Sequence, residues 1–259
     1  MHFSGAEIAA WITAYLWPLF RIGAMMMAAP LMGARTVPVR VRMAMALAIT
    51  AVVVPVMPAV PKVDPFSLAA VVIIFQQVLI GVAMGFALQL VFTAIVTGAQ
   101  VVAMQMGLGF ASMVDPQNGQ QMPVLGQFYL IMATLTFLAF DGHLLMIQTL
   151  VDSFHVLPIA PDGLTRTALW DLAGWGSQMF AGAVWLALPA VAALLMVNIA
   201  FGVMARAAPQ LNIFAIGFPV AMIMGYVVLL FVLPKLVPQF STLFNSGFGL
   251  LDTLLSGGG

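Results

Sequence analysis

Cysteine is absent from this 259-residue chain, and charge is nearly so: eight basic and eight acidic residues make up 6% of it, with three histidines besides. The first absence excludes disulfides, thiolate metal sites and a cysteine nucleophile, and leaves the compartment open. The second excludes an ordinary soluble domain, in which about 25% of residues are charged and roughly 45–50% apolar. A net charge of zero leaves no basic patch for nucleic acid. His2, His143 and His155 lie far apart, and the chain holds no H-E-x-x-H, no G-x-S-x-G and no cluster of His and carboxylate at ligand spacing. No enzyme, metal or cofactor signature remains.

What the chain has instead is apolar length. Hydrophobic residues make up 63% of it, and runs of about 20, the number a helix needs to cross a hydrocarbon core, recur from end to end. The expected fold is all-α: a polytopic integral membrane protein of about six long apolar helices arranged in hairpins, forming a single domain. Windows bounded by charge, Pro and Gly fall at residues 8–33, 41–60, 68–103, 127–151, 178–205 and 211–234. The first has no basic leader and contains Glu7, so it reads as a retained span. The third is too long for one perpendicular crossing, at roughly 54 Å against a core of about 30 Å.

Basic residues set the orientation. Arg35, Arg40 and Arg42 lie between the first two spans and Arg206 between the last two, opposed only by Asp115. Lys62, Arg166 and Lys235 face six acidic residues on the other side: Glu7, Asp64, Asp152, Asp162, Asp171 and Asp252. The positive-inside rule therefore puts the arginine-rich loops in the cytoplasm and both termini outside.

Arg21 and Asp141 remain inside spans, where an ionisable group is costly and points to function. Arg21 is a possible partner for Asp141, and His143 lies two residues beyond it. An ion pair, a local cap at Gly142 and a proton relay are the competing roles; the relay lacks further carboxylates. Gln89, Thr93, Thr97 and Gln100 fall on one helical stripe, for interhelical hydrogen bonds or a water-lined path. Gly81 and Gly85 form a G-x-x-x-G pair that admits close backbone approach.

Between the third and fourth runs lies MQMGLGFASMVDPQNGQQMPVLG, residues 104–126, rich in Gly, Gln and Met. It is either an exposed loop or irregular backbone sheltered by protein at membrane depth. Most of the 20 methionines suit helix packing, but soft side chains on a Gly-rich backbone also suit a surface that seals and then deforms.

The run MVNIAFGVMARAAPQLNIFAIGFP, from Met196 to Pro219, resembles the signature of the FliR family, the flagellar export-gate component with counterparts in virulence-associated secretion. WPLFRIGAMMMAAPLMGARTVPVRVRMAMALA and FDGHLLMIQTLVDSFHVLP match other parts of that family's pattern, so the resemblance covers essentially the whole chain. It implies a non-enzymatic gate component of the bacterial inner membrane and flagellar basal body, largely on the periplasmic side. The implied partners are FliP, FliQ, FlhB and FlhA, unfolded flagellar export substrates and membrane lipid. It also implies a FliP-like part over residues 1–177 and a FliQ-like hairpin with a tail over 178–259. The central segment would be a plug closing the channel at rest. Gly107, Gly109, Phe110, Met113, Pro116, Gly119 and Met122 are its residues, with Phe110 and Met113 as stoppers. Arg206, Pro209, Gln210 and Asn212 would form a partner-facing turn. An injectisome gate and a small-solute transporter are the alternatives, the latter lacking matching inverted repeats.

Overall fold

The computed structural model describes residues 5–34, 36–61, 63–65, 67–108, 124–207 and 213–257, and these are helical throughout apart from connecting turns. Eight α-helices follow in order: α1 (Gly5–Ala28), α2 (Val39–Val53, extended by a 3-10 turn at Val54–Val56), α3 (Leu68–Gln105), α4 (Val124–Ala139), α5 (Gly142–Val156), α6 (Arg166–Gly174), α7 (Gly176–Ala207) and α8 (Ile213–Leu255). Four of these regions are long and apolar enough to cross a hydrocarbon core, and the α4–α5 pair makes a fifth as one broken span. The chain is an all-α polytopic membrane protein. The expected count of about six stands against these four or five among the described residues.

The third run is one unbroken helix of 38 residues, about 57 Å at helical rise. Its start is set by Ser67, whose hydroxyl accepts from Ala70 N at 3.2 Å, an N-cap that satisfies one of the free first-turn donors. The fourth run, expected as a single helix over 127–151, is interrupted. Asp141 sits at φ 55° and opens α5 through its carbonyl, which accepts from Leu144 N at 2.8 Å and Leu145 N at 3.0 Å. Asp is among the few residues that visit the left-handed region, so the break falls where hydropathy alone is blind.

The last run was expected to end at residue 234, but α8, 43 residues long in all, runs on to Leu255 with Pro219, Pro234 and Pro238 inside it. Each proline removes one i to i−4 bond. Phe240, Phe244, Leu250, Leu251 and Leu254 nevertheless extend a buried stripe beyond them.

Chain contacts divide the molecule into two compact units: Met1–Leu90, Phe140–Gly176 and Asn245–Gly259 in the first, and Val91–Ala139 with Ser177–Phe244 in the second. In the first unit, α1 and α3 pack backbone to backbone at the G-x-x-x-G pair. A Cβ on Gly81 would strike the Arg21 carbonyl oxygen, and one on Gly85 would lie 2.6 Å from Ala28 Cβ and 2.8 Å from Ala29 N. The core of the second unit is aromatic. Phe92, Phe137 and Phe244 meet with centroids 5.2–5.6 Å apart, and Tyr129 stands edge-on to Phe240 at 6.2 Å, offset geometries that the ring quadrupole favours.

Candidate functional site

Arg21 of α1 is the most enclosed charge in the first unit, with no exposed surface. Its Nε donates to Gln77 Oε1 on α3 at 2.8 Å. One terminal nitrogen donates to the Ser153 carbonyl at 2.8 Å and to Ser153 Oγ at 3.1 Å, and the other to the Leu157 carbonyl at 2.9 Å. The guanidinium also lies 4.3 Å from the centroid of the Phe154 ring. Ser153 and Leu157 belong to the C-terminal end of α5, where unpaired carbonyls concentrate partial negative charge. Arg21 therefore caps a helix, and its counter-charge is a set of carbonyls and a ring face rather than Asp141.

Asp141 is exposed, and its side chain makes no capping hydrogen bond. His143 is half-buried, with Nδ1 buried and without a hydrogen-bond partner among the described residues. These two and Arg21 do not form one site. Gln77, Ser153 and Phe154 were not foreseen, since a glutamine in an apolar run and the end of a helix carry no mark that they meet an arginine far away in sequence.

On α3, Gln89 is exposed, whereas Thr93, Thr97 and Gln100 are half-buried. Gln100 and Val96 lie beside Gly126 of α4. The C-terminus of α3 is closed by a Schellman motif: Leu108 N donates to Ala103 O and Gly107 N to Met104 O, both at 3.0 Å, with Gly107 at φ 82°. Gly107 is a helix terminator, a role set by its freedom at positive φ. Met106, just before it, is fully buried and rests on Gly225 of α8, where a Cβ would lie 2.6 Å from Met106 Cγ and Cε.

Gly109, Phe110, Met113, Pro116, Gly119 and Met122 lie outside the described residues, as do Pro209, Gln210 and Asn212. Arg206 is exposed in the last turn of α7. Among the described residues no group of three or more His, Asp or Glu could hold a metal ion.

Residues 12–247 match the profile of the family described as "Bacterial export proteins, family 1". The chain belongs to that family. A flagellar biosynthetic protein FliR of Escherichia coli K12 is 41% identical to this export protein over 247 residues, covering 95% of this chain and 94% of the relative. One from Pectobacterium carotovorum is 39% identical, covering 98% and 97%. A more distant one from Bacillus subtilis is 28% identical, covering 84% and 85%. Similarity thus runs along nearly the whole export protein. Membership makes the chain a membrane component of export, not an enzyme.

Proposed function

We propose that this chain is a component of the flagellar protein export gate in the bacterial inner membrane. In this reading it forms, with FliP and FliQ, the channel through which unfolded flagellar subunits leave the cell, with FlhB and FlhA as further partners. The observation that carries the reading is the match to flagellar biosynthetic proteins over more than nine-tenths of both chains. The part up to residue 177 serves as the FliP-like portion and residues 178–259 as the FliQ-like hairpin and tail. The assembly stands largely on the periplasmic side, within the basal body.

Within residues 104–126, the part between the end of α3 at Gln105 and the start of α4 at Val124 acts as the plug, with Phe110 and Met113 as stoppers. A conduit must be tight to ions at rest and open to a chain in use, and non-helical backbone at membrane depth is tolerated where protein shelters it. The Schellman stop at Gly107 supports this, because it ends α3 at the head of the Gly- and Met-rich stretch. Arg206, Pro209, Gln210 and Asn212 form the partner-facing turn.

Deleting Gly107 to Gly119 in an assembled gate tests the reading through ion leakage and subunit export. The expected result is leakage well above the intact gate. A deletion that leaves the membrane as ion-tight as before overturns the plug, and native mass showing a chain that never associates overturns the gate itself.

A further inference from the structure

The backbone stop at the end of α3 is complete without any side chain. Leu108 N and Gly107 N close the Schellman motif on the Ala103 and Met104 carbonyls, and a glycine at φ 82° is all that such a cap requires. Met106, the residue that enters this turn, nevertheless has no exposed surface, while Met104, two positions earlier, is 69% exposed. Burial here belongs to one side chain aimed at one place.

That place is Gly225 of α8. A Cβ there would lie 2.6 Å from both Met106 Cγ and Met106 Cε and 3.0 Å from Sδ, so the thioether lies along the glycine rather than touching it with its tip. Gly225 is buried, whereas Ile223, Met224, Tyr226 and Val227 around it are all exposed. Contact at this end of α8 is a single point, a knob in a notch, and Leu229, Val232 and Leu236 continue the buried stripe from it. The other end of the Gly- and Met-rich stretch is held more loosely. At Gly126 of α4 a Cβ would meet Val96 Cγ1 at 3.8 Å and Gln100 Cγ at 3.9 Å, ordinary van der Waals contact. One foot of the stretch is keyed and the other rests on its neighbour.

We propose that Met106 is a positioning residue for the plug: seated on Gly225, it holds the end of α3 to α8, so that the chain beyond Gly107 starts from a fixed point and returns to the same closed position. This rests on the plug reading above. An unbranched side chain with a polarizable sulfur fills an irregular notch without strain, and only glycine at 225 leaves the notch open. A seal that moves and re-forms needs a rigid foot, because play at the foot is carried to the tip.

The test uses the full chain co-produced with its partner subunits and reconstituted into proteoliposomes, with potassium efflux as the measure of leakage and thermal unfolding run beside it. Met106→Ala is expected to raise efflux roughly ten-fold, the change in a closed-to-open ratio that about 1.4 kcal/mol of lost anchoring makes. Met106→Leu, of similar volume, stays close to wild type. Gly225→Ala pushes the thioether out of its notch and leaks as Met106→Ala does. Adding Met106→Ala to Gly225→Ala separates positioning from plain packing: Tm recovers in part, but α3 stays unkeyed and efflux stays high. Efflux that falls back as Tm recovers overturns the proposal, as does a tight Met106→Ala gate. The chain has no cysteine, so a Met106→Cys/Gly225→Cys variant gives a reading within one folded protein, which should leak when reduced and tighten when oxidised. A pair that does not oxidise, or equal efflux in the two states, also sinks the keyed foot. A Gly107–Gly119 deletion that stays tight removes the plug reading and this one with it; a leaking deletion beside a tight Met106→Ala gate removes the keyed foot alone.

Discussion

Arg21 and Gln77, 56 residues apart in sequence, meet with no exposed surface on either, the guanidinium Nε donating to the amide Oε1 at 2.8 Å. The contact joins α1 to α3, and the other nitrogens of the same guanidinium join both to the end of α5. Removing Arg21 leaves the Leu157 carbonyl and the Gln77 amide oxygen without this donor inside the protein. Arg21→Ala is therefore expected to lower stability by on the order of 3 kcal/mol, read as a lower Tm of the detergent-solubilised chain. Arg21→Lys keeps the charge but cannot fork toward Gln77 and α5 together, so its Tm should fall between those of Ala and wild type.

Asp141 separates two explanations of an acid in an apolar run. Its φ of 55° and its exposure make the backbone its contribution. Asp141→Asn should keep export near wild type, because Asn also tolerates the left-handed region, whereas Asp141→Val should cost about 1–2 kcal/mol. Export assayed beside thermal stability decides: loss of export in a stable Asp141→Asn variant would restore the proton-relay explanation.

At Gly85, a Cβ has Ala28 and the backbone of Ala29 against it rather than a flexible tip. Gly85→Ala is expected to force α1 and α3 apart and to destabilise by about 1–3 kcal/mol, the usual cost of overpacking. Gly23, with nothing within 4 Å of its Cβ position, serves as the control, since Gly23→Ala should leave Tm unchanged or slightly raised.

Met106 and Gly225 form a knob and a notch in the second unit. Gly225→Ala should lower the Tm, and combining it with Met106→Ala should recover part of the loss, because the smaller side chain leaves room for the new methyl. A double variant as unstable as the sum of the single ones would show that the two residues do not share that space.

Phe137 touches both Phe92 and Phe244 in the aromatic core. Truncation to Ala is expected to cost about 3–5 kcal/mol, and a double-mutant cycle between Phe92 and Phe137 should show coupling of roughly 0.5–1.5 kcal/mol.

The helical, membrane-embedded character was legible because apolar length depends on composition alone, and α2, α3 and α7 begin and end within a few residues of the expected windows. Two boundaries were not. The α4–α5 break depends on one backbone angle at Asp141, and the extension of α8 depends on packing that outweighs two prolines. Hydropathy registers neither. Gly81 and Gly85 were legible as a close approach because spacing carries that information directly. The nest around Arg21 was hidden for the opposite reason. Its acceptors are two backbone carbonyls and side chains of ordinary helix residues, brought in from 56, 132 and 136 positions away.

The separation from Ser153 has a consequence for synthesis. Ser153 leaves the ribosome 132 residues after Arg21, a delay of roughly 7–26 s at bacterial-scale elongation of about 5–20 residues/s. Throughout it α1 carries a guanidinium whose acceptors on α5 have not yet been made, and a long basic side chain in that position reaches for the interface. Until α5 arrives only the Gln77 amide on α3 can take a bond from this guanidinium, so α5 is the helix that completes its set of acceptors.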